Sequence, residues 1–131
     1  MSPSITGGCA CGGIRYQTQT EPEFSIICQC RQCQRITGSG HAAAFAVNTD
    51  ATRLQGKIKY YQTQADDGST VSSGFCKNCG NPVVKKTSGY PQYLFFHAAT
   101  LDDPACFEPQ MVVYTESAQP WDHIDPRLQR R

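Results

Sequence analysis

The chain has 131 residues and a formal net charge of +1, with 39% hydrophobic and 18% charged residues. This length predicts one domain over residues 1–131, with a C-terminal tail over about residues 122–131. The near-zero charge argues against a strongly basic nucleic-acid-binding protein and against an acidic tail. No apolar run is long enough to span a membrane, and the N-terminus lacks a secretory-signal pattern, so we expect a cytoplasmic protein.

Eight short strands are predicted from alternating apolar and polar residues or from β-branched and aromatic runs. They cover residues 14–18, 24–28, 43–47, 58–62, 71–75, 83–84, 93–98 and 111–114. One short helix is predicted at residues 31–37, and Gly38-Ser39-Gly40 is expected to end it. Strands at this spacing with almost no helix indicate a mainly β fold.

Eight cysteines are the main chemical signal in the sequence. Seven of them fall into three groups: Cys9 with Cys11, Cys28 with Cys30 and Cys33, and Cys76 with Cys79. In a reducing compartment disulfides do not persist, so grouped cysteines favour metal binding or catalysis over disulfide bonds. The eighth, Cys106, stands alone, and we expect it to be a buried apolar thiol rather than a metal ligand.

Two of the groups are isolated pairs. Cys76-x-x-Cys79-Gly80 has the form of a zinc knuckle, a tight turn that a glycine with positive φ ends. Cys9 and Cys11 point to the same side of an extended chain. Joining the pairs gives a closed site of four cysteines, the structural type of zinc site. Iron is an alternative metal, whereas a redox role for Cys76 and Cys79 is disfavoured because no thioredoxin-like pattern surrounds them.

The third group supplies three ligands. Cys28 and Cys30 point to the same side of an extended chain, and Cys33 follows on the same face of the short helix. An ion bound by all three has an open fourth position, which is typical of catalytic zinc sites. The alternative is that only the four-cysteine site binds metal and that these three are free or redox-active thiols.

Six motifs stand in order along nearly the whole chain. They are Gly7-Gly8-Cys9-x-Cys11-Gly12-Gly13-Ile14-Arg15-Tyr16, Cys28-x-Cys30-x-x-Cys33, Gly38-Ser39, Phe75-Cys76-x-x-Cys79-Gly80, Leu101-Asp102-Asp103-Pro104 and Pro120-Trp121. In this order and spacing they resemble the glutathione-dependent formaldehyde-activating enzyme family, which includes centromere protein V. Two positions depart from the family pattern: Gln29 stands where members usually carry histidine, and Val112 stands where many carry one.

The resemblance implies a fold and two metal sites. The fold is the Mss4-like fold, or β-tent, in which small antiparallel β-sheets surround zinc and one helix is short. A structural zinc is implied on Cys9, Cys11, Cys76 and Cys79, and a catalytic zinc on Cys28, Cys30 and Cys33. Two Zn²⁺ ions per chain are therefore expected.

The resemblance also implies a carbon–sulfur lyase with glutathione as co-substrate and a small aldehyde of the formaldehyde type. The thiolate would add to the carbonyl to give an S-hydroxymethyl adduct, or that adduct would be cleaved. Arg31 and Arg35 flank the catalytic cysteines and are candidates to bind the glutathione carboxylates. His41 and His97 are candidate proton shuttles, with a structural role as the alternative for each. Trp121 is expected in the core.

Two other functions stay open at this stage. A zinc-stabilised module would bind glutathione or a protein partner without turnover, and it needs only the four-cysteine site. A methionine sulfoxide reductase of the B type would share the fold, but the residues around Cys106 do not resemble its catalytic motif. For the lyase we expect a small-molecule partner, and neither nucleic acid nor a membrane.

Overall fold

The computed structural model describes residues 4–131. Its strands are β1 (Ile5–Gly8), β2 (Ile14–Thr18), β3 (Phe24–Cys28), β4 (Ala42–Asn48), β5 (Thr52–Gly56), β6 (Ile58–Gln64), β7 (Thr70–Cys76), β8 (Pro82–Thr87), β9 (Tyr93–His97), β10 (Met111–Val113) and β11 (Gln129–Arg130). Helix α1 (Arg31–Thr37) connects β3 to β4, and Gly38 ends it in the left-handed conformation. The mainly β class with one short helix is confirmed. No helix within residues 4–131 is long and apolar enough to cross a membrane.

The predicted strands all occur, as β2, β3, β4 and β6 to β10, with shifted ends. Strands β1, β5 and β11 were not predicted, because their residues are polar or rich in glycine and they become strands through pairing with a neighbour. Ala98 lies in a 3-10 turn instead of β9. Tyr114 lies outside β10, with a φ of 58°.

The strands form two sheets. Strands β1, β2 and β5 make a three-stranded antiparallel sheet, and the other eight make a larger sheet in the order β11-β10-β3-β4-β9-β8-β7-β6. The larger sheet is mixed, because β10 runs parallel to both β3 and β11. Strand β3 is paired with β10 on one side and β4 on the other, so hydrogen-bonded strands fix the backbone of Cys28 at its end.

The main hydrophobic core is built by residues of both sheets. Tyr16 of β2 stacks on Phe96 of β9 with ring centroids 3.8 Å apart, and its hydroxyl lies 2.7 Å from that of Thr100. Cys9 and Cys76 belong to the same cluster of buried residues. The core therefore continues into the chain turns that carry these two cysteines.

Two predictions about burial are wrong. Trp121 is 64% exposed, because it lies in an irregular segment between β10 and β11 that follows the surface. Cys106 is exposed rather than buried, because it lies on the 3-10 turn Pro104–Cys106, which has no buried residue. Neither side chain contributes to the core.

Two candidate metal centres

The four-cysteine cluster (Cys9, Cys11, Cys76 and Cys79) is formed by two chain turns, one from each sheet. In the β1–β2 turn the Cys9 N–H donates to the Ile14 carbonyl at 3.1 Å, and the Gly12 N–H donates to the Cys9 carbonyl at 3.1 Å. The β7–β8 turn carries the other pair, and the positive φ predicted for Gly80 is confirmed at 75°. The first pair lies in a turn rather than on an extended strand end.

The sulfur positions of this cluster fit a single tetrahedral ion. All four Sγ atoms lie within 4.8 Å of one another. The separations are 3.7 Å from Cys9 to Cys11 and 3.6 Å from Cys11 to Cys76. Thiolates bound to one zinc ion lie about 3.8 Å apart. The cluster therefore needs little rearrangement to close around a metal.

Backbone N–H groups support negative charge on these sulfurs. The Ile14 N–H donates to Cys9 Sγ at 3.2 Å, and the Asn78 N–H donates to Cys76 Sγ at 3.4 Å. Burial raises the pKa of Cys9, but the Ile14 hydrogen bond and the neighbouring thiols outweigh it and lower the pKa to about 6. Thiolates are the form of cysteine that binds metal.

The cysteine triplet (Cys28, Cys30 and Cys33) lies where β3 ends and α1 begins. Cys28 is the last residue of β3, Cys30 caps the N-terminus of α1, and Cys33 lies in its first turn. The Cys33 N–H donates to Cys30 Sγ at 3.3 Å. The change from strand to helix thus brings three sulfurs within 4.8 Å of one another, as their spacing predicts.

The triplet differs from the first cluster in its ligand count. Among residues 4–131, no further histidine, cysteine or carboxylate joins these three sulfurs. Hydrogen bonds with the thiols of Cys28 and Cys33 lower the pKa of Cys30, whereas hydrogen bonds with Cys28 and Cys30 raise the pKa of Cys33. Cys30 is half-buried while the other two are buried, so the cluster is most accessible at Cys30.

A buried polar network ties the triplet to the C-terminal segment. Gln34 of α1 donates from Nε2 to the carbonyls of Gln29 (2.8 Å) and Ser117 (2.9 Å). Gln29, which replaces the histidine usual in the family, is buried and donates to Asp122 Oδ2 at 3.1 Å. The same carboxylate accepts a hydrogen bond from His41 Nδ1 at 3.0 Å. The residue between two triplet cysteines is therefore held by a side chain from the predicted tail.

Replacing Asp122 by alanine should lower the free energy of unfolding by about 1–3 kcal/mol, because it leaves the Gln29 amide and His41 Nδ1 without their acceptor. Denaturant unfolding at neutral pH measures this loss. The matched control is Asp125→Ala, which removes an exposed ion pair with Arg127 and should change stability by less than about 0.5 kcal/mol. Equal effects of the two substitutions would contradict a bracing role for Asp122.

The predicted polar site residues lie in different surroundings. Arg31 and Arg35 are exposed on α1, and Arg31 donates to Gln34, so their role toward glutathione stays a prediction. His41 is held by Asp122. His97, at the end of β9, lines a small cavity that Cys28 and Cys33 also line.

Three residues near the triplet were not singled out from the sequence. Ser73 of β7 and Lys85 of β8 line the same cavity as His97. Tyr114 has a positive φ, which is strained for a bulky residue and is often found at functional sites. Burial, and then the charges of Cys28 and Cys30, raise the pKa of its phenol. These residues come from separate strands and loops, so no local motif marks them.

Two of three comparisons with known proteins find a match for this chain. A family model described as glutathione-dependent formaldehyde-activating enzyme matches residues 4–117. A search of curated proteins finds no significant match. A crystal structure of a Rhodobacter sphaeroides protein superimposes with a TM-score of 0.59 at 21% sequence identity, covering 75% of this chain and 88% of that chain. At this identity the structural likeness bears on the fold alone. The family match includes all seven grouped cysteines and ends before Asp122.

Proposed function

The chain belongs to the glutathione-dependent formaldehyde-activating enzyme family, and from this membership we propose that it is a zinc-dependent carbon–sulfur lyase. Its substrate is the glutathione adduct of a small aldehyde of the formaldehyde type, which it forms or cleaves. The four-cysteine cluster holds the structural zinc, and the cysteine triplet holds the catalytic one. Residues 1–131 act as one domain, in the reducing cytoplasm that suits eight unlinked cysteines.

The observation that carries this proposal is the difference between the two cysteine clusters. Four sulfurs converge in one cluster and three in the other. Four thiolates complete the tetrahedral coordination of zinc, whereas three leave one position for an incoming ligand. The four-cysteine cluster and the cysteine triplet both fit zinc, because thiolates are soft ligands that favour this ion. A purely structural protein has no need of the second arrangement.

The metal would supply one chemical property at the triplet: a coordinated thiol has a lowered pKa and is present as the nucleophilic thiolate at neutral pH. The residues of the chain hold and orient this site. Cys28 is fixed by the pairing of β3, and Cys30 and Cys33 are fixed by the first turn of α1. Gln34 and Asp122 keep α1 and the intervening loop in place through buried hydrogen bonds.

Recognition of glutathione falls to side chains around the triplet. Arg31 and Arg35 are exposed on α1, which Cys30 caps and which contains Cys33. Arg31 donates one hydrogen bond to Gln34, and the remaining N–H groups of both arginines would pair with the carboxylates of the peptide. Tyr114 is 55% exposed and lies within the electrostatic reach of Cys28 and Cys30. A phenol in this position contributes a surface for the glutathione backbone.

Metal content and turnover test the proposal together. We expect about two zinc ions per chain by elemental analysis of protein purified without chelators and with reduced thiols. We also expect the protein to accelerate the exchange between formaldehyde and S-hydroxymethylglutathione, measured by NMR exchange spectroscopy against buffer alone. One zinc per chain, with no second ion taken up from added zinc and no acceleration, would favour a binding module and overturn the lyase proposal.

A further inference from the structure

A cavity of about 30 Å³ lies beside the triplet, on the face of the larger sheet that α1 covers. Cys28 and Cys33 form one side of it, and its polar lining comes from Ser73, Lys85 and His97. The rest of the lining is apolar. A volume of this size admits a water-sized group. The cavity is therefore suited to a single polar atom of a substrate held at the triplet.

Strand register places Lys85 in this cavity. Ser73 of β7, Lys85 of β8 and Phe95 of β9 are direct cross-strand partners, so their side chains share one face of the sheet. The ammonium of Lys85 lies 5.3 Å from the centroid of the Phe95 ring, on the side of the cavity. Lys86, the next residue, points to the opposite face and lies over the ring of Tyr60.

Apart from the contact of the Lys85 ammonium with the Phe95 ring, Ser73 and Lys85 have no hydrogen-bonded or carboxylate partner for their side chains among the described residues. Ser73 Oγ is buried and has no hydrogen-bond partner among residues 4–131. Lys85 forms no ion pair with any of the described carboxylates. Burial, and then the charge of Lys85, lower the pKa of His97 to about 4, so its imidazole is neutral at neutral pH. The lining of the cavity thus includes one cationic side chain and one buried, unpartnered hydroxyl beside the triplet.

We propose that Lys85 and Ser73 form an oxyanion-binding pocket for the aldehyde oxygen of the reaction at the triplet. This deepens the proposed function and rests on it. A buried hydroxyl without a partner costs free energy, which a substrate oxygen recovers when it accepts that hydrogen bond. An ammonium in a small cavity of low polarity interacts strongly with a developing negative charge. Lys85 is then a catalytic residue that the cysteine motifs do not reveal.

The proposed reaction is the addition of a thiolate to a carbonyl group. The glutathione thiolate forms a bond to the carbonyl carbon, and the π electron pair of the C=O bond moves onto oxygen. The oxygen becomes negatively charged beside the Lys85 ammonium and the Ser73 hydroxyl, and it takes a proton from water to give the neutral S-hydroxymethyl group. Cleavage follows the same path in reverse: the hydroxyl loses its proton, the C=O bond reforms and the sulfur leaves as thiolate.

The test compares Lys85→Met with Lys86→Met, a matched removal of a lysine from the opposite face of the same strand. Lys85→Met should lower kcat for the exchange reaction by about 10²-fold, the effect of removing one oxyanion donor. Zinc content and glutathione affinity should stay at wild-type values, because the lysine acts on the aldehyde oxygen and not on the thiol. Lys86→Met should leave kcat unchanged. Ser73→Ala removes one hydrogen bond and should lower kcat about tenfold. This variant decides the matter if Lys85→Met does not fold.

The outcomes separate this inference from the proposed function. If wild-type protein accelerates the exchange and Lys85→Met and Ser73→Ala do so equally well, the oxyanion pocket is overturned and the lyase function stands. If Lys85→Met loses glutathione affinity in proportion to kcat, the lysine serves the thiol and the pocket is likewise overturned. If wild-type protein binds two zinc ions but neither binds glutathione nor accelerates exchange, the proposed function fails and the pocket fails with it.

Discussion

The alanine variant of Cys79 is expected to be largely unfolded at neutral pH, or to melt far below the wild-type protein. The side chain is exposed and contributes little to the hydrophobic core, so burial alone predicts a mild effect. It is, however, one of the four converging sulfurs of the four-cysteine cluster. Structural zinc contributes folding free energy directly, and a domain of this size has only about 5–15 kcal/mol in total. Circular dichroism melting and zinc analysis measure the loss.

Cys106→Ala is the matched control for this experiment. Cys106 is also an exposed cysteine, but it lies outside both clusters. Its replacement should change stability by no more than about 0.5 kcal/mol and leave the zinc content intact. A Cys79→Ala protein with the melting temperature and zinc content of the Cys106→Ala protein would show that the cluster does not hold the fold together.

The alanine variant of Cys30 is expected to keep its fold and to lose glutathione binding. Cys30 lies outside the main core, and its structural contribution is the helix cap that its sulfur provides to the Cys33 N–H. Losing such a cap costs about 1 kcal/mol. In contrast, two remaining sulfurs are a poor site for zinc, so the catalytic zinc that we propose at the triplet should be lost. Calorimetric titration with glutathione and zinc analysis report the two effects separately.

The Cys30→Ser variant separates the helix-capping role of this side chain from its proposed role as a metal ligand. Serine is among the preferred N-cap residues, so this variant should recover the stability lost in the alanine variant. Its hydroxyl is a much poorer zinc ligand than a thiolate, so one zinc per chain and no glutathione binding are still expected. Glutathione affinity at the wild-type level in either variant would remove the triplet from the mechanism.

Together these experiments would distinguish cysteines with a structural role from cysteines with a binding role, although both look alike in the sequence. The four-cysteine cluster shares Cys9 and Cys76 with the main core, so its loss should propagate through both sheets. The triplet packs in a smaller group with Ala42, away from that core. Because of this separation, we expect the fold to persist when the triplet is altered and to be lost when the four-cysteine cluster is altered.

The local features of this protein follow from short stretches of its sequence. Short spacings place Cys28, Cys30 and Cys33 together, because a strand end and one helical turn bring such residues within reach of one ion. The helix stop at Gly38 and the positive φ at Gly80 follow from glycine in the same local way. Counting ligands then pairs the two remaining groups of cysteines, and the structure brings the same four together.

The surroundings of these sulfurs, in contrast, depend on how distant parts of the chain pack together. Lys85 reaches the triplet cavity because β8 lies two strands from β4 in the larger sheet, and a register shift of one residue would send Lys86 there instead. Asp122 reaches Gln29 across a long sequence separation, and Trp121 beside it is exposed. Such contacts depend on sheet order, register and the course of irregular segments. Those are set by the packing of the whole chain, so no local pattern of residues encodes them.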